Sequence, residues 1–223
     1  MSLEYPPTLP RPEKVASSDL TEAKQQLRVT AARQRSQIFA QFPDPELAGQ
    51  MLRNSFIDRC PLPQNVRVAG YWPVSNEIDV RPLMNVLSDH GVAMAMPVVM
   101  NRNQPMRFRR WTTGLQMVPG RFGIPMPADT SPEVRPDVVL VPLLAFDRLG
   151  YRLGRGAGLY DRTLELLRAT GKVLAIGIAF AGQEVSAVPH DAFDQRLDWI
   201  VTERYAFPTS SGYNPLAAFG SLR

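Results

Sequence analysis

The sequence predicts an α/β protein whose central sheet is mostly parallel and carries helices on both faces. Three observations lead there. Apolar runs such as DVVLVPLLAF (residues 137–146) and KVLAIGIAF (172–180) have the length and composition of strands buried on both faces. Helical stretches alternate with such runs, the order expected of βαβ units. No internal repeat or strong boundary divides the chain. Residues 18–205 therefore read as one three-layer, Rossmann-like domain, with a mobile arm over 1–17 and a loose tail over 206–223.

The elements follow in order. Four prolines keep residues 1–17 extended. Asp19 and Glu22 have capping-box spacing, and the proline-free stretch to about Phe39 predicts a helix. A second helix is predicted over Pro45–Arg59. VRVAGYW (66–72) predicts a buried strand, residues 80–90 a helix and VAMAMPVV (92–99) a further strand. MRFRRW (106–111) alternates, which predicts a strand with one wet face. Residues 112–136 are rich in Pro and Gly and read as loop. After the 137–146 strand comes a Gly-rich stretch, then a helix from about Gly158 to before Gly171. The strand over 172–180 and a last one at LDWIVTE (197–203) complete the pattern.

With 223 residues the chain is long enough for a sizeable core, and 44% hydrophobic with 21% charged residues suits a soluble globular protein. No apolar run has the length of a membrane helix, and the N-terminus lacks a signal-peptide core. Cys60 is the single cysteine, which excludes an internal disulfide and a multi-cysteine metal site. A cytoplasmic protein is expected. The net charge of +4 is too small to argue for nucleic acid. Lysine occurs only at 14, 24 and 172, so nearly all cations are arginine. Genome composition accounts for that, as does bidentate anion binding, which arginine does better.

RLGRGAGLYDR (152–162) stands between a predicted buried strand and a helix. In open α/β sheets, ligands bind beyond the carboxyl ends of strands. A helix N-terminus there offers free N–H groups to an anion, and glycines let the backbone come close. The stretch is neither a Walker A loop nor a dinucleotide fingerprint. A tight turn with solvated arginines is the plainer reading, and the residues alone indicate an anion or nucleotide loop.

PLLAFDRLGYRLGRGAGLYDRTL (142–164) resembles the signature of the 5-formyltetrahydrofolate cyclo-ligases, also called methenyltetrahydrofolate synthetases. EAKQQLR, YWPVSNEIDVRPLM, MPVVMNRNQPMRFRRW and GIAFAGQEVSAVPHDAFDQRLDWIVTE resemble further segments of that family, in the same order. The resemblance covers about residues 20–204. It implies closure of 5-formyltetrahydrofolate to 5,10-methenyltetrahydrofolate with ATP and Mg²⁺. Phosphorylating the formyl oxygen turns it into a leaving group, and N10 then attacks the activated carbon. Such phosphoryl transfer needs positioning and charge neutralisation rather than a nucleophilic side chain.

By resemblance, Lys24 and Arg28 reach the phosphates, and Arg35 lies on the same helix face. Arg152, Gly154, Arg155, Gly156, Ala157, Gly158, Leu159, Tyr160 and Asp161 form the ATP loop. Arg155, Tyr160 and Asp161 are the expected catalytic residues, and Asp161 with Asp194 holds Mg²⁺. Glu77 is the expected folate-binding carboxylate, able to accept two N–H bonds from a pterin edge. Met106, Phe108, Trp111 and Tyr160 complete the substrate site. Plainer readings stand beside these: a solvated basic face for Lys24 and Arg28, a helix-start carboxylate for Asp161, a turn residue for Asp194, a cap for Glu77, and an ordinary half-buried strand for Met106, Phe108 and Trp111. Asp79 and Asp198 read as structural.

The chain departs from the family pattern at Leu143, Met126, Leu159 and Phe193, where Gly, Glu, an aromatic and His are usual; His190 stands three residues away from the usual His position. Two other functions compete: an ATP-dependent enzyme of the same fold with another small substrate, and a non-catalytic nucleotide- or RNA-binding relative using Arg107, Arg109 and Arg110 interleaved with Phe108 and Trp111. The expected partners are the folate and ATP, with no membrane and no nucleic acid, in a monomer or weak homodimer.

Overall fold

The computed structural model describes residues 18–209. The arm over 1–17 and the tail beyond 209 lie outside them. The elements are α1 (Ser18–Phe39), α2 (Pro45–Arg59), β1 (Arg67–Ala69), α3 (Arg81–Asp89), β2 (Ala93–Val98), β3 (Arg107–Trp111), β4 (Met117–Pro119), β5 (Pro125–Pro127), β6 (Val138–Pro142), β7 (Ala145–Phe146), β8 (Arg152–Leu153), α4 (Leu159–Ala169), β9 (Leu174–Ile178), β10 (Trp199–Val201) and β11 (Ala206–Pro208).

Seven strands form one sheet in the order β11-β10-β9-β6-β1-β2-β3. The five inner strands run parallel, and β3 and β11 pair antiparallel at the edges. From β1 the chain moves outward to β2, then returns to β6 on the other side of β1. That reversal leaves a crevice beyond the carboxyl ends of β1 and β6, the usual ligand position in such sheets.

Alternation along each strand divides the core in two. Val68, Met94, Met96, Leu140 and Ile176 pack with α2 and α3 through Leu52, Phe56, Leu83 and Met84. Ala69, Ala95, Val139 and Ala175 face α4 through Leu164 and Leu167. The small side chains on this second face let the helix come close. α2 begins at an Asp44 cap that accepts from the Glu46 N–H, with proline in its first turn.

Four sequence expectations change. Asp19 lies inside the first turn of α1 rather than capping it. Residues 112–136 contain the β4–β5 hairpin, whose three-residue strands are too short and proline-rich to show a period. The run 137–146 breaks after Pro142, and Ala145–Phe146 turns away to pair with β8. Ala206–Pro208, expected as the start of a loose tail, is an edge strand paired with β10.

Candidate active site

A cavity of about 630 Å³ fills the crevice at the β1/β6 reversal. Its floor comes from the strand ends: Tyr71 and Trp72 after β1, Pro97 in β2, Pro142 and Leu143 at the end of β6. One wall is the whole segment from Arg152 to Asp161. α1 supplies Lys24, Arg28 and Arg35, and the loop before β10 supplies Asp191, Phe193 and Asp194. The turn of the β4–β5 hairpin brings Arg121, Phe122 and Ile124, and β5 itself adds Met126.

The Gly-rich segment leaves β8 and enters α4. Gly156 has φ +97° and Gly158 φ +64°, a left-handed backbone that glycine adopts without strain. Gly158 is the N-cap of α4 and provides no side-chain cap. The first N–H groups of the helix therefore begin beside Leu159, Tyr160 and Asp161, which line the cavity.

Most cations of the cavity are tied to carboxylates. Lys24 Nζ donates to Asp194 Oδ2 at 2.6 Å and to Asp191 Oδ2 at 3.1 Å. Burial pulls the Lys24 ammonium down, but these two partners outweigh it and hold its pKa above the usual value. Buried Arg152 donates to Asp161 Oδ1 at 2.6 Å and to the Gln195 carbonyl. Desolvation draws its pKa below the ordinary value, with Asp161 opposing. Arg155 Nη2 donates to Glu77 Oε1 at 3.1 Å, and the Val74 N–H donates to Glu77 Oε2 at 3.0 Å. Arg28 differs. Among the described residues its guanidinium meets the Gly154 carbonyl at 3.1 Å and Gln25, with no carboxylate partner.

Tyr160 has its pKa pushed above the ordinary value by burial, with Glu77 adding to it. At neutral pH it is a hydrogen-bond donor, not a base.

For Mg²⁺ the donor chemistry fits. Asp161 accepts both its hydrogen bonds, from Arg152 and the Gln195 N–H, on Oδ1. Asp194 accepts both of its own, from Lys24 and the Asp191 N–H, on Oδ2. Each carboxylate keeps a second oxygen. Among the described residues no group of three or more His, Cys, Asp or Glu could hold a metal alone. A Mg²⁺ ion here would share one or two carboxylates with phosphate oxygens and water, as it usually does.

Of the residues singled out in the sequence, all those of the Gly-rich segment, Lys24, Arg28, Glu77, Met106 and Asp194 meet at this cavity. Phe108 and Trp111 do not. They are 1% and 6% exposed and belong to the two opposite core faces. Residues 132–134 pair along the open edge of β3, with Arg110 N–H donating to the Pro132 carbonyl and Val134 N–H to the Phe108 carbonyl. Arg107 and Arg110 stay exposed, whereas Phe108, Arg109 and Trp111 are buried. Arg109 is buried and paired with Asp129. The basic-aromatic surface expected of an RNA-binding relative is thus absent from residues 107–111. Asp191, Tyr71, Trp72 and Phe122 reach the cavity without having been anticipated. Asp191 had a signal: it stands three residues before Asp194 in a turn. Phe122 had none, since it sits at φ +60° in an irregular hairpin turn.

Fold and cavity define an open α/β protein with a small-molecule cleft at the reversal of its parallel sheet. The chain belongs to the 5-formyltetrahydrofolate cyclo-ligase family, whose sequence model matches residues 20–203. It is 38% identical to a 5-formyltetrahydrofolate cyclo-ligase of Mycolicibacterium smegmatis over 135 residues, 56% of this chain and 68% of that one. It is 31% identical to the cyclo-ligase of Escherichia coli K12 over 159 residues, 69% of this chain and 87% of the relative. The structure of an Aquifex aeolicus 5,10-methenyltetrahydrofolate synthetase superposes with a TM-score of 0.65 at 25% identity, over 87% of this chain and 95% of that one.

Proposed function

We propose that this protein closes 5-formyltetrahydrofolate to 5,10-methenyltetrahydrofolate with consumption of ATP, and that the Gly-rich segment and its neighbours carry the reaction. The observation that carries this reading is the meeting, in one cleft of a cyclo-ligase-family fold, of an uncapped helix N-terminus, a glycine loop, and the cations of α1 and β8.

The γ-phosphoryl group of ATP passes to the formyl oxygen, and ADP departs. N10 then attacks the formyl carbon, its N–H proton is released, and the C–O bond breaks to expel inorganic phosphate. Arg28, Arg152 and Arg155 with Lys24 offset the charge on the phosphates. The α4 N–H groups add donors fixed in place, which act without reorganising when charge develops. Mg²⁺, when bound through Asp161 and Asp194, would supply charge neutralisation to the phosphate oxygens. Glu77 anchors the pterin edge, and Tyr160 donates a hydrogen bond between the two ligands. Met106, Ile124 and Met126 offer apolar wall. A cytoplasmic location is part of this proposal; no helix among the described residues is long and apolar enough to cross a membrane.

The test mixes purified protein, 5-formyltetrahydrofolate, Mg²⁺ and ATP and follows the absorbance of the conjugated methenyl bridge. Turnover of about 1 per second or more is unexceptional for an enzyme. ATP-dependent growth of that absorbance supports the reading. ATP binding without it would mean that Met126, Leu159 and Phe193, all on the cavity wall, have remade the pocket for another substrate.

A further inference from the structure

Arg35 is a buried arginine, 4% exposed, near the C-terminal end of α1. Its guanidinium spans both sides of the sheet reversal. Nε donates to Asn76 Oδ1 at 3.0 Å, in the loop after β1. Nη1 donates to the Leu143 carbonyl at 3.2 Å, just after β6. The same Nη1 lies 3.7 Å from Glu77 Oε1. Asn76 is itself held by a 2.5 Å hydrogen bond to Ser36 Oγ, one residue along α1.

Glu77 thus has two cationic partners of different kinds. The Arg155 side chain is 50% exposed and sits on the Gly-rich loop, whereas that of Arg35 is 5% exposed and anchored at two further points. A phosphate arriving at the loop competes for Arg155. A pterin edge arriving at Glu77 competes for the same carboxylate oxygen. Arg155 is the exchangeable partner and Arg35 the permanent one. Burial draws the Arg35 pKa down; Glu77 opposes this, and the nearby charge of Arg155 adds to it. Departure of Arg155 therefore removes a repulsion and tightens the Arg35–Glu77 pair. A carboxylate buried without any cation would be costly and free to turn away.

We propose that Arg35 is a positioning residue for folate binding: it holds the Glu77 carboxylate aimed at the folate ring edge once Arg155 has moved to the phosphates. This rests on the cyclo-ligase reading of the site.

The test compares wild type, Arg35→Gln and Arg35→Lys, varying 5-formyltetrahydrofolate and ATP separately in steady-state assays. Equilibrium binding of the folate is measured alongside. Arg35→Gln is expected to raise the folate KM and Kd at least tenfold, with ATP KM and kcat within about threefold. Arg35→Lys keeps the charge and loses the fork. It should recover most of the folate affinity. In a Glu77→Gln background, Arg35→Gln should add little to the folate Kd, because the two act as one unit. Equal loss of folate and ATP affinity, or an unchanged folate Kd, overturns the proposal. If Arg35→Gln does not fold, Arg35→Lys carries the test, with about a threefold rise in folate Kd and none for ATP; equal rises again overturn it. A wild type that binds no 5-formyltetrahydrofolate refutes the cyclo-ligase reading and this inference with it. A wild type that binds it while Arg35→Gln binds equally well refutes this inference alone.

Discussion

Replacing Gly154 with alanine puts one methyl group into the cavity and leaves the fold untouched. A Cβ at Gly154 meets no atom within 4 Å, and its φ is outside the left-handed region. The change in unfolding free energy should stay within about 0.5 kcal/mol. Gly158→Ala is the contrasting case. Its φ of +64° and a Cβ only 2.8 Å from Arg162 Nη1 should cost about 1–2 kcal/mol of stability. If phosphates pack against the loop backbone, the Gly154 methyl holds them off. Losing one charge-assisted hydrogen bond costs about 1.5–3 kcal/mol. That corresponds to a rise in ATP KM of about 10- to 150-fold. The assay is steady-state KM for ATP at saturating folate, paired with urea unfolding. A Gly154→Ala protein of native stability whose ATP KM stays within twofold would refute the placing of phosphates on this loop.

Asp161→Asn keeps the shape of the Arg152 contact but removes its charge. It should lower kcat by about 100-fold, the size expected when electrostatic support of a phosphoryl transfer is lost, and reduce melting temperature; kcat and thermal unfolding of the same preparation check it. Phe108→Leu should cost about 1–3 kcal/mol of stability by leaving a small cavity in the core, with the folate KM unchanged, as read by urea unfolding and kinetics. For Asp137, burial alone would raise the carboxyl, but hydrogen bonds from the Arg67 side chain and backbone outweigh it and hold the pKa below the usual value. Its contribution to stability is therefore present above the unfolded pKa, near about 3.9, and lost as pH falls through the lower folded value. Unfolding free energy measured against pH should drop below about pH 4, and less steeply in Asp137→Asn. Burial pushes the Cys60 thiol well above its ordinary pKa, so a thiol reagent should modify the native protein only as fast as it unfolds, checked by labelling with and without urea.

Much of the site was legible because its chemistry is concentrated in one contiguous stretch. Residues 152–162 carry glycines, arginines and a carboxylate at a strand-to-helix junction, and that local order already implies an anion site. Arg28 and Arg35 share a helix face by spacing alone. α2 was legible over about residues 45–59, and the structure adds the Asp44 cap at its start. β3 was misjudged for a reason no local pattern contains. Its alternation would mean one wet face, but exposure does not follow the alternation: Arg107 and Arg110 are exposed while Arg109 between them is buried. Arg109 finds Asp129 and the Pro127 carbonyl as partners, which come from residues distant from β3 in sequence. Phe108 and Trp111 are apolar on either reading, so the sequence could not separate wall from core. The β4–β5 hairpin escaped because strands of three residues bounded by proline show no period, yet it brings Phe122 and Met126 to the cavity.

The position of α1 has a consequence for how the chain comes to life on the ribosome. Lys24 pairs with carboxylates 167 and 170 residues downstream. Gln34 donates to the Gly182 carbonyl, and Ala31 packs with Leu144, Leu153 and Val188. A growing chain exposes α1 long before any of these partners exists. Arg35 and Ser36 can meet Asn76 early, but the N-terminal half of the helix must wait undocked until almost all of the domain has been made, and closing so long a loop slows folding. In return, a polypeptide interrupted before residue 191 lacks the two carboxylates that hold Lys24 at the cavity, so an unfinished copy has no finished cleft.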